Sequence, residues 1–268
     1  MGGTMRLYFA IFAVYFRASL QNELAYRINF VVNVGLALVS LANALIGVSV
    51  IFSHTTTLSG WTFSETLVLL SVYTIVNGLL NVFVAPNLDQ LSESIRQGTL
   101  DFTLLKPASS QFLVSFQRCL IWGMTDVVLG IGLLVYSLTR MSGESGISAG
   151  RLALFALTLA AGVVVLYCLW TMLATFAFWF VRIDNMTTVL HTFFGMGRFP
   201  VDAYPLWMRR VLTFVIPVAL VTTVPAEALS GRLGPLVPVV SVAVAAIMTW
   251  LSTRLWRLGL RQYTSASS

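Results

Sequence analysis

Hydrophobic positions in this chain fall into six long runs: Phe30–Phe52, Thr66–Ala85, Phe112–Leu138, Leu152–Val181, Val211–Leu229 and Leu236–Trp256. Almost no charged residue interrupts them. A hydrocarbon core of about 30 Å takes about 20 apolar helical residues to cross. Most of the runs are that long, so the pattern predicts an all-α integral membrane protein. No polar stretch is long enough to fold as a separate soluble domain, and residues 1–268 are expected to form a single transmembrane domain.

Ahead of the first run, residues 5–21 interleave aromatic and apolar side chains (LYFAIFAVYF) with Arg6 and Arg17. This predicts an interfacial helix lying on the membrane. No small-residue cleavage site closes a short apolar core before Arg27, so a cleaved signal is not expected. Basic residues then set the orientation. Arg6, Arg17 and Arg27 precede the first run, and Arg96 and Lys106 separate the second from the third. Arg182 follows the fourth, and Arg254, Arg257 and Arg261 close the chain. If all of these face the cytoplasm, the spans alternate with both termini inside. His54–Ser64 and Thr139–Gly150 are then outer loops. The region Ile183–Gly234, with Pro200, Pro205, Pro217 and Pro225, allows two foldings. Either Val211–Leu229 is the fifth span, or Asn185–Phe199 is a short fifth span and Pro200–Gly231 a broken, re-entrant pair on the outer side. Irregular backbone at membrane depth is tolerated when buried in protein or facing a watery cavity.

Composition agrees with this picture. Hydrophobic residues make up 57% of the chain and charged residues 10%, against about 25% charged in a soluble domain. The net charge of +6 sits at helix ends, which points to membrane orientation rather than nucleic acid. Cys119 and Cys168 lie inside apolar runs and read as small hydrophobes. His54 and His191 have no Cys or Glu at metal-ligand spacing. HExxH does not occur, and no two carboxylates share a helix face within the apolar runs. A lipid-modifying enzyme therefore has no acid/base cluster to work with. A phosphate-binding P-loop needs GxxxxGK[ST], whereas Lys106 sits in LLKPASS without the glycines. No cofactor or metal is expected on this chain. No internal repeat is evident, which weighs against many secondary transporters.

The loop Ala85–Phe112 carries the most information. Asn87 is placed to cap a short amphipathic helix, Leu88–Gln97. Leu88, Leu91 and Ile95 fall on one face, and Asp89, Glu93 and Arg96 on the other. Gly98 ends it. A second apolar cluster, Leu100, Phe102, Leu104 and Leu105, stops at Pro107. Such a loop is either an ordinary interfacial connection or a docking element for a cytoplasmic partner. Within the spans, Arg118 and Asp126 are intramembrane charges, which are functional candidates by default. On one helix they would stand about 12 Å apart, so each calls for a partner on another span. Arg118 could instead snorkel to the surface. Asn29 with Asn33, and Asn77 with Asn81, form i,i+4 pairs. Asn33, Asn77, Asn81 and Asp126 thus either hydrogen-bond between helices or line a substrate path.

The segment RQGTLDFTLLKPASSQFLVSFQR (96–118) resembles the loop between the second and third spans of the ABC-2 type exporter permeases. Within that family it is most similar to the branch usually encoded with a second permease and a separate ATPase. GRFPVDAYPLWMRRVLTFVIPVALVTTVPAEALSGR (197–232) and LWRLGLRQYTSASS (255–268) share the resemblance, which runs almost end to end. It implies six transmembrane helices of ABC-2 type, an N-terminal interfacial helix and a re-entrant outer segment at 200–231. It also implies an ATP-driven exporter in which the permease forms half of the translocation path. A coupling helix in the cytoplasmic loop 86–110 would dock the nucleotide-binding subunit. By position, Leu88, Asp89, Leu91, Glu93, Ile95, Arg96, Gly98, Leu100 and Asp101 are the coupling residues, with Arg6–Ser19 beside them. Leu91, Ile95 and Leu100 would enter a groove on the ATPase, and Asp89, Glu93 and Arg96 would form its rim. ATP and Mg belong to that partner, present in two copies. The dimer partner is a second homologous permease or a second copy of this chain, in the bacterial plasma membrane. The alternatives are a proton-coupled secondary transporter using Asp126 as proton carrier, and an accessory membrane subunit without a transport path.

Overall fold

A computed structural model describes residues 2–25, 27–88, 90–141, 148–180 and 184–263. Asp89, Arg182, residues 142–147 of the expected outer loop and the tail 264–268 lie outside them. In chain order the helices are α1 (Gly2–Ala25), α2 (Arg27–His54), α3 (Phe63–Leu79), α4 (Ala85–Leu88), α5 (Leu91–Arg96), α6 (Asp101–Leu104) and α7 (Ser110–Phe116). They are followed by α8 (Met124–Met141), α9 (Ala149–Thr175), α10 (Asp184–Gly195), α11 (Leu206–Arg210), α12 (Val224–Ser230) and α13 (Val237–Gln262). Among the described residues five helices are long and apolar enough to cross a bilayer, and a bent pair, Leu206–Val215 with Ala219–Ser230, would make a sixth.

The centre of the bundle is α3. It starts at a capping box: Thr62 accepts from the Glu65 amide, and Glu65 accepts from the Thr62 amide. Every residue from Glu65 to Val76 is buried, because α8, α12, α2 and the π-turn at Ala219–Thr223 pack around it. Lipid tails are as apolar as leucine, so helices in a membrane associate by close packing rather than by hydrophobic expulsion. The α3–α8 contact shows this. A Cβ added at Gly78 would lie 2.8 Å from the Val127 amide nitrogen, and one at Gly130 would lie 2.8 Å from the Ile75 amide nitrogen. Only glycine lets these backbones come so near.

Ring and polar contacts reveal which ends lie together. At one end Tyr8 packs edge-on against Phe112, Phe12 against Phe83 and Phe116, and Phe178 against Trp256. The Trp256 indole N–H donates to Ser110 Oγ at 3.1 Å. So α1, the 85–116 loop, the end of α9 and the end of α13 share one end of the molecule. At the other, Phe52 packs against Phe63. There Arg232 donates to Glu65 at 2.8 Å and to the Gly60 carbonyl at 2.8 Å. Leu229 and Ala226 pack with Trp61, Val68 and Leu69. The long helices therefore alternate in direction, and residues 184–230 carry the chain back across between α9 and α13.

That return is not a straight helix. The arms Leu206–Val215 and Ala219–Ser230 meet at 77°. Pro217 sits at the break, and the backbone widens into π-turns over Val211–Val215 and Ala219–Thr223. Such turns recur at functional sites.

The third apolar run also departs from expectation. It is not one helix: α7 ends at Phe116, a 3₁₀ turn covers Ile121–Gly123, and α8 begins at Met124. Arg118 and Asp126 therefore do not share a helix, and the 12 Å spacing expected between them does not apply. The break survives because its backbone groups find partners, as buried polar backbone must. Asn87 Oδ1 accepts from the Arg118 amide at 2.8 Å, and Asn87 Nδ2 donates to the Arg118 carbonyl at 2.7 Å. The Cys119 amide donates to Ser19 Oγ at 3.0 Å, and the Leu120 amide to the Val82 carbonyl at 3.1 Å. Asn87 is thus a clamp on the third run, not the helix N-cap that its position after Pro86 suggested.

Candidate functional site

Two features hold the candidate residues. The first is the loop between α3 and α7. Instead of a helix over Leu88–Gln97, the chain forms α4 as a continuation beyond α3, and α5 begins at Leu91. Gly98, at φ +69°, follows the end of α5 in the left-handed region that favours glycine, and its amide donates to the Ile95 carbonyl at 3.2 Å. That stop is where the sequence placed it. The orientation of the helix is not. Leu88, Leu91 and Leu100 are at most 1% exposed and join the central core with Trp170, Phe194 and Trp256. Ile95 is partly buried and packs on the same core. Leu91 and Leu100 therefore cannot enter a partner's groove as they stand, because they already fill this chain's own interior. An amphipathic stripe shows that one face is covered but not by what.

What the loop presents outward is polar with an apolar tip. Arg96 and Gln97 both donate to the Glu93 carboxylate, bracing α5 along its exposed side. Asp101 opens α6 and lies beside Tyr263 at the end of α13. Phe102 is 71% exposed and Leu105 82%. These two were visible as a hydrophobic cluster, but spacing alone did not separate them from buried Leu100. The loop is tied down from several directions. Lys106 Nζ donates to the Tyr15 hydroxyl at 3.1 Å, the Ser109 amide to the Tyr8 hydroxyl at 3.1 Å, and Gln117 Nε2 to Thr103 Oγ1 at 2.9 Å. Helix α1 does lie beside it, through Tyr8, Phe12 and Tyr15.

The second feature is a polar cleft between α1, α2, α3 and α8. A cavity of about 430 Å³ is lined by Asn22, Glu23, Asn29, Asn33 and Arg118. A second, of about 210 Å³, is lined by Asn33, Tyr73, Asn77, Asp126 and Arg198. Asn33 and Trp122 border both, so the two are neighbours along one cleft. It begins beside α1 at the loop end and reaches the middle of α3. Asn77 Nδ2 donates to Asp126 Oδ2 at 3.3 Å, linking α3 to α8. The Arg198 guanidinium stands 5.3 Å over the Tyr73 ring and close enough to Asp126 for electrostatic attraction. The partner that Asp126 called for on another span is therefore Asn77, with Arg198 as a nearby counter-charge. Nothing in the sequence pairs Arg198 with Asp126, 72 residues earlier. Asn33 instead donates to the Asn29 carbonyl at 2.8 Å. Asn81 falls on the π-turn Leu80–Val84 and borders neither cavity.

The cleft and the braced loop both lie among helices long and apolar enough to cross a membrane. A family model described as ABC-2 family transporter protein matches residues 38–267. The chain belongs to the ABC-2 transporter family. No curated protein and no solved structure is significantly similar to it. The family match begins within α2 and runs past α13, and so includes the braced loop, the bent pair and the α3–α8 side of the cleft, whereas Asn22, Glu23, Asn29 and Asn33 precede it. This ABC-2 protein is accordingly a multi-pass membrane component of an ABC transporter.

Proposed function

We propose that the chain is the permease subunit of an ATP-driven exporter in the bacterial plasma membrane, forming half of a translocation path and coupled to a separate ATPase through the 90–105 loop. The observation that carries this reading is the build of the loop. Leu88, Leu91 and Leu100 root it in the core of the spans, while Glu93, Arg96, Gln97, Phe102 and Leu105 face away. A push on the outer face is passed to α3, α9 and α13 without first deforming a flexible linker. The docking surface is then the braced polar side of α5 with the Phe102 and Leu105 tip, in place of the buried leucines.

Orientation supports the same reading. Arg6, Arg17, Arg96, Lys106, Arg254, Arg257 and Arg261 belong to the loop end, which the positive-inside pattern assigns to the cytoplasm. Both termini are then cytoplasmic, and the bent pair enters from the outer side as a re-entrant segment. Arg209, on that outer side, is tied to Asp202 at 2.6 Å. Two ATPase copies and a second permease, either a homologue or another copy of this chain, complete the transporter.

The test is substitution on the exposed tip. Phe102→Asp with Leu105→Asp should lower ATPase retention at least tenfold on co-purification, with unchanged elution volume and helix content. Vanadate should stop transport by the wild-type complex, and a protonophore should not. Full ATPase binding and coupled hydrolysis by the well-folded double variant would remove the loop from the interface.

A further inference from the structure

The bend at Pro217 leaves a cavity of about 420 Å³ between the two arms of the elbow. Apolar Leu206 and Phe214 form part of its wall, together with four charged residues, Asp202, Arg209, Arg210 and Glu227. These charges are not equivalent. Arg209 and Asp202 neutralise each other at 2.6 Å. The Glu227 side chain makes no hydrogen bond or ion pair among the described residues. Its cationic neighbours are Arg209 and Arg232, and Asp202 is a like-charged one. Both arginines are committed elsewhere, Arg209 to Asp202 and Arg232 to Glu65. Glu227 is therefore short of counter-charge. Arg210, on the other arm, also makes no hydrogen bond or ion pair among the described residues. The two groups line one cavity without meeting.

An independent feature marks the same place. Thr223 stands four residues before Glu227, hence on the same helical face, and borders the cavity. It is 3% exposed, and its hydroxyl has no partner. Native proteins leave few buried polar side chains unsatisfied, and each such group asks for an explanation. A carboxylate, a hydroxyl and a separate guanidinium, all lacking partners around one space, together offer acceptors for an N–H donor and a donor for an anion.

We infer that this cavity binds a zwitterionic phosphate–amine headgroup, its ammonium on Glu227 and Thr223 and its phosphate on Arg210. Ammonium to carboxylate and guanidinium to phosphate are charge-assisted hydrogen bonds, the stronger kind. The approach suits an amphiphile. Leu206 is 71% exposed and Phe214 82%, so the arm carrying Arg210 offers an apolar surface beside the charged one, as interfacial segments do. The same headgroup chemistry occurs in a bilayer lipid and in a soluble phosphate ester. The site goes beyond the exporter reading, because no part of it requires an ATPase.

The experiment is native mass spectrometry of the purified full chain, equilibrated in detergent with equimolar phosphatidylethanolamine and phosphatidylglycerol. Wild type should retain phosphatidylethanolamine preferentially. Glu227→Gln and Arg210→Gln should each lower its retention at least fivefold, and Thr223→Val severalfold. Arg210 is exposed, so Arg210→Gln decides the matter even if a variant at a buried position melts early. Millimolar phosphoethanolamine distinguishes the sources. Displacement of the lipid means that the headgroup suffices and a soluble ester is a ligand, whereas retention means that the acyl contacts are needed and the ligand is a lipid. Equal retention by wild type and Arg210→Gln, or no preference over phosphatidylglycerol, would overturn the assignment.

Discussion

At the scale of single residues, two asparagines hold this protein's irregular features. Asn77 supplies the hydrogen bond to Asp126 from the wall of the polar cleft, where both side chains are half-buried. An acceptor stripped of its donor there keeps its desolvation cost, about 1–3 kcal/mol and more for a charge. Asn77→Leu should therefore lower the apparent melting temperature in detergent by several degrees. Asp126→Asn, which keeps an acceptor oxygen for Asn77, should lower it less. Equal effects from the two would mean that the Asn77–Asp126 contact contributes little. Asn87 acts on backbone instead, holding both polar groups of Arg118. Asn87→Ala orphans an amide and a carbonyl, a loss of about 1–3 kcal/mol for the pair. Hydrogen exchange should rise at residues 117–120 and stay slow in α3. Unchanged protection at 117–120 would show that another group takes over the clamp.

At the scale of elements, the α3–α8 contact is set by glycine. A side chain at Gly130 meets the backbone nitrogen of Ile75, which cannot swing aside as a side chain can. Overpacking usually costs about 1–3 kcal/mol. Against main chain Gly130→Leu should reach the upper part of that range, and splaying the pair should also break the Asn77–Asp126 bond. A melting temperature within a degree of wild type would contradict so tight a contact. The sequence made most of these elements legible, because a span announces itself through twenty consecutive apolar residues whatever its neighbours are. The prolines of 200–225 likewise announced a broken segment. The break at Gln117–Leu120 was hidden, since Phe112–Leu138 contains no proline and is predominantly apolar, and the clamp lies 31 residues upstream at Asn87. In the loop the stripe Leu88, Leu91, Ile95 was visible, but a stripe fits an intramolecular core and a partner's groove equally well. Only the contacts with Trp170 and Trp256 decide it. The Thr62–Glu65 capping box carries a readable T-x-x-E signal, whereas the Arg232 that joins it is contributed from 167 residues away.

At the scale of the molecule, the pieces most relevant to transport converge. α1, the α5–α6 loop, the end of α9 and the end of α13 meet at one end, where the polar cleft also begins. The elbow and the start of α3 are joined at the other through Arg232, Glu65 and Gly60. Helix α3 leads from the outer end to this loop and carries Tyr73 and Asn77 into the cleft. The central claim is that this loop receives an ATPase. The most direct measurement is affinity purification of the chain from native membranes in mild detergent, with mass spectrometry of what accompanies it. The account predicts a soluble P-loop ATPase in near-equal amount, released by Phe102→Asp with Leu105→Asp. Recovery of the wild-type chain without any ATPase across several detergents would contradict it.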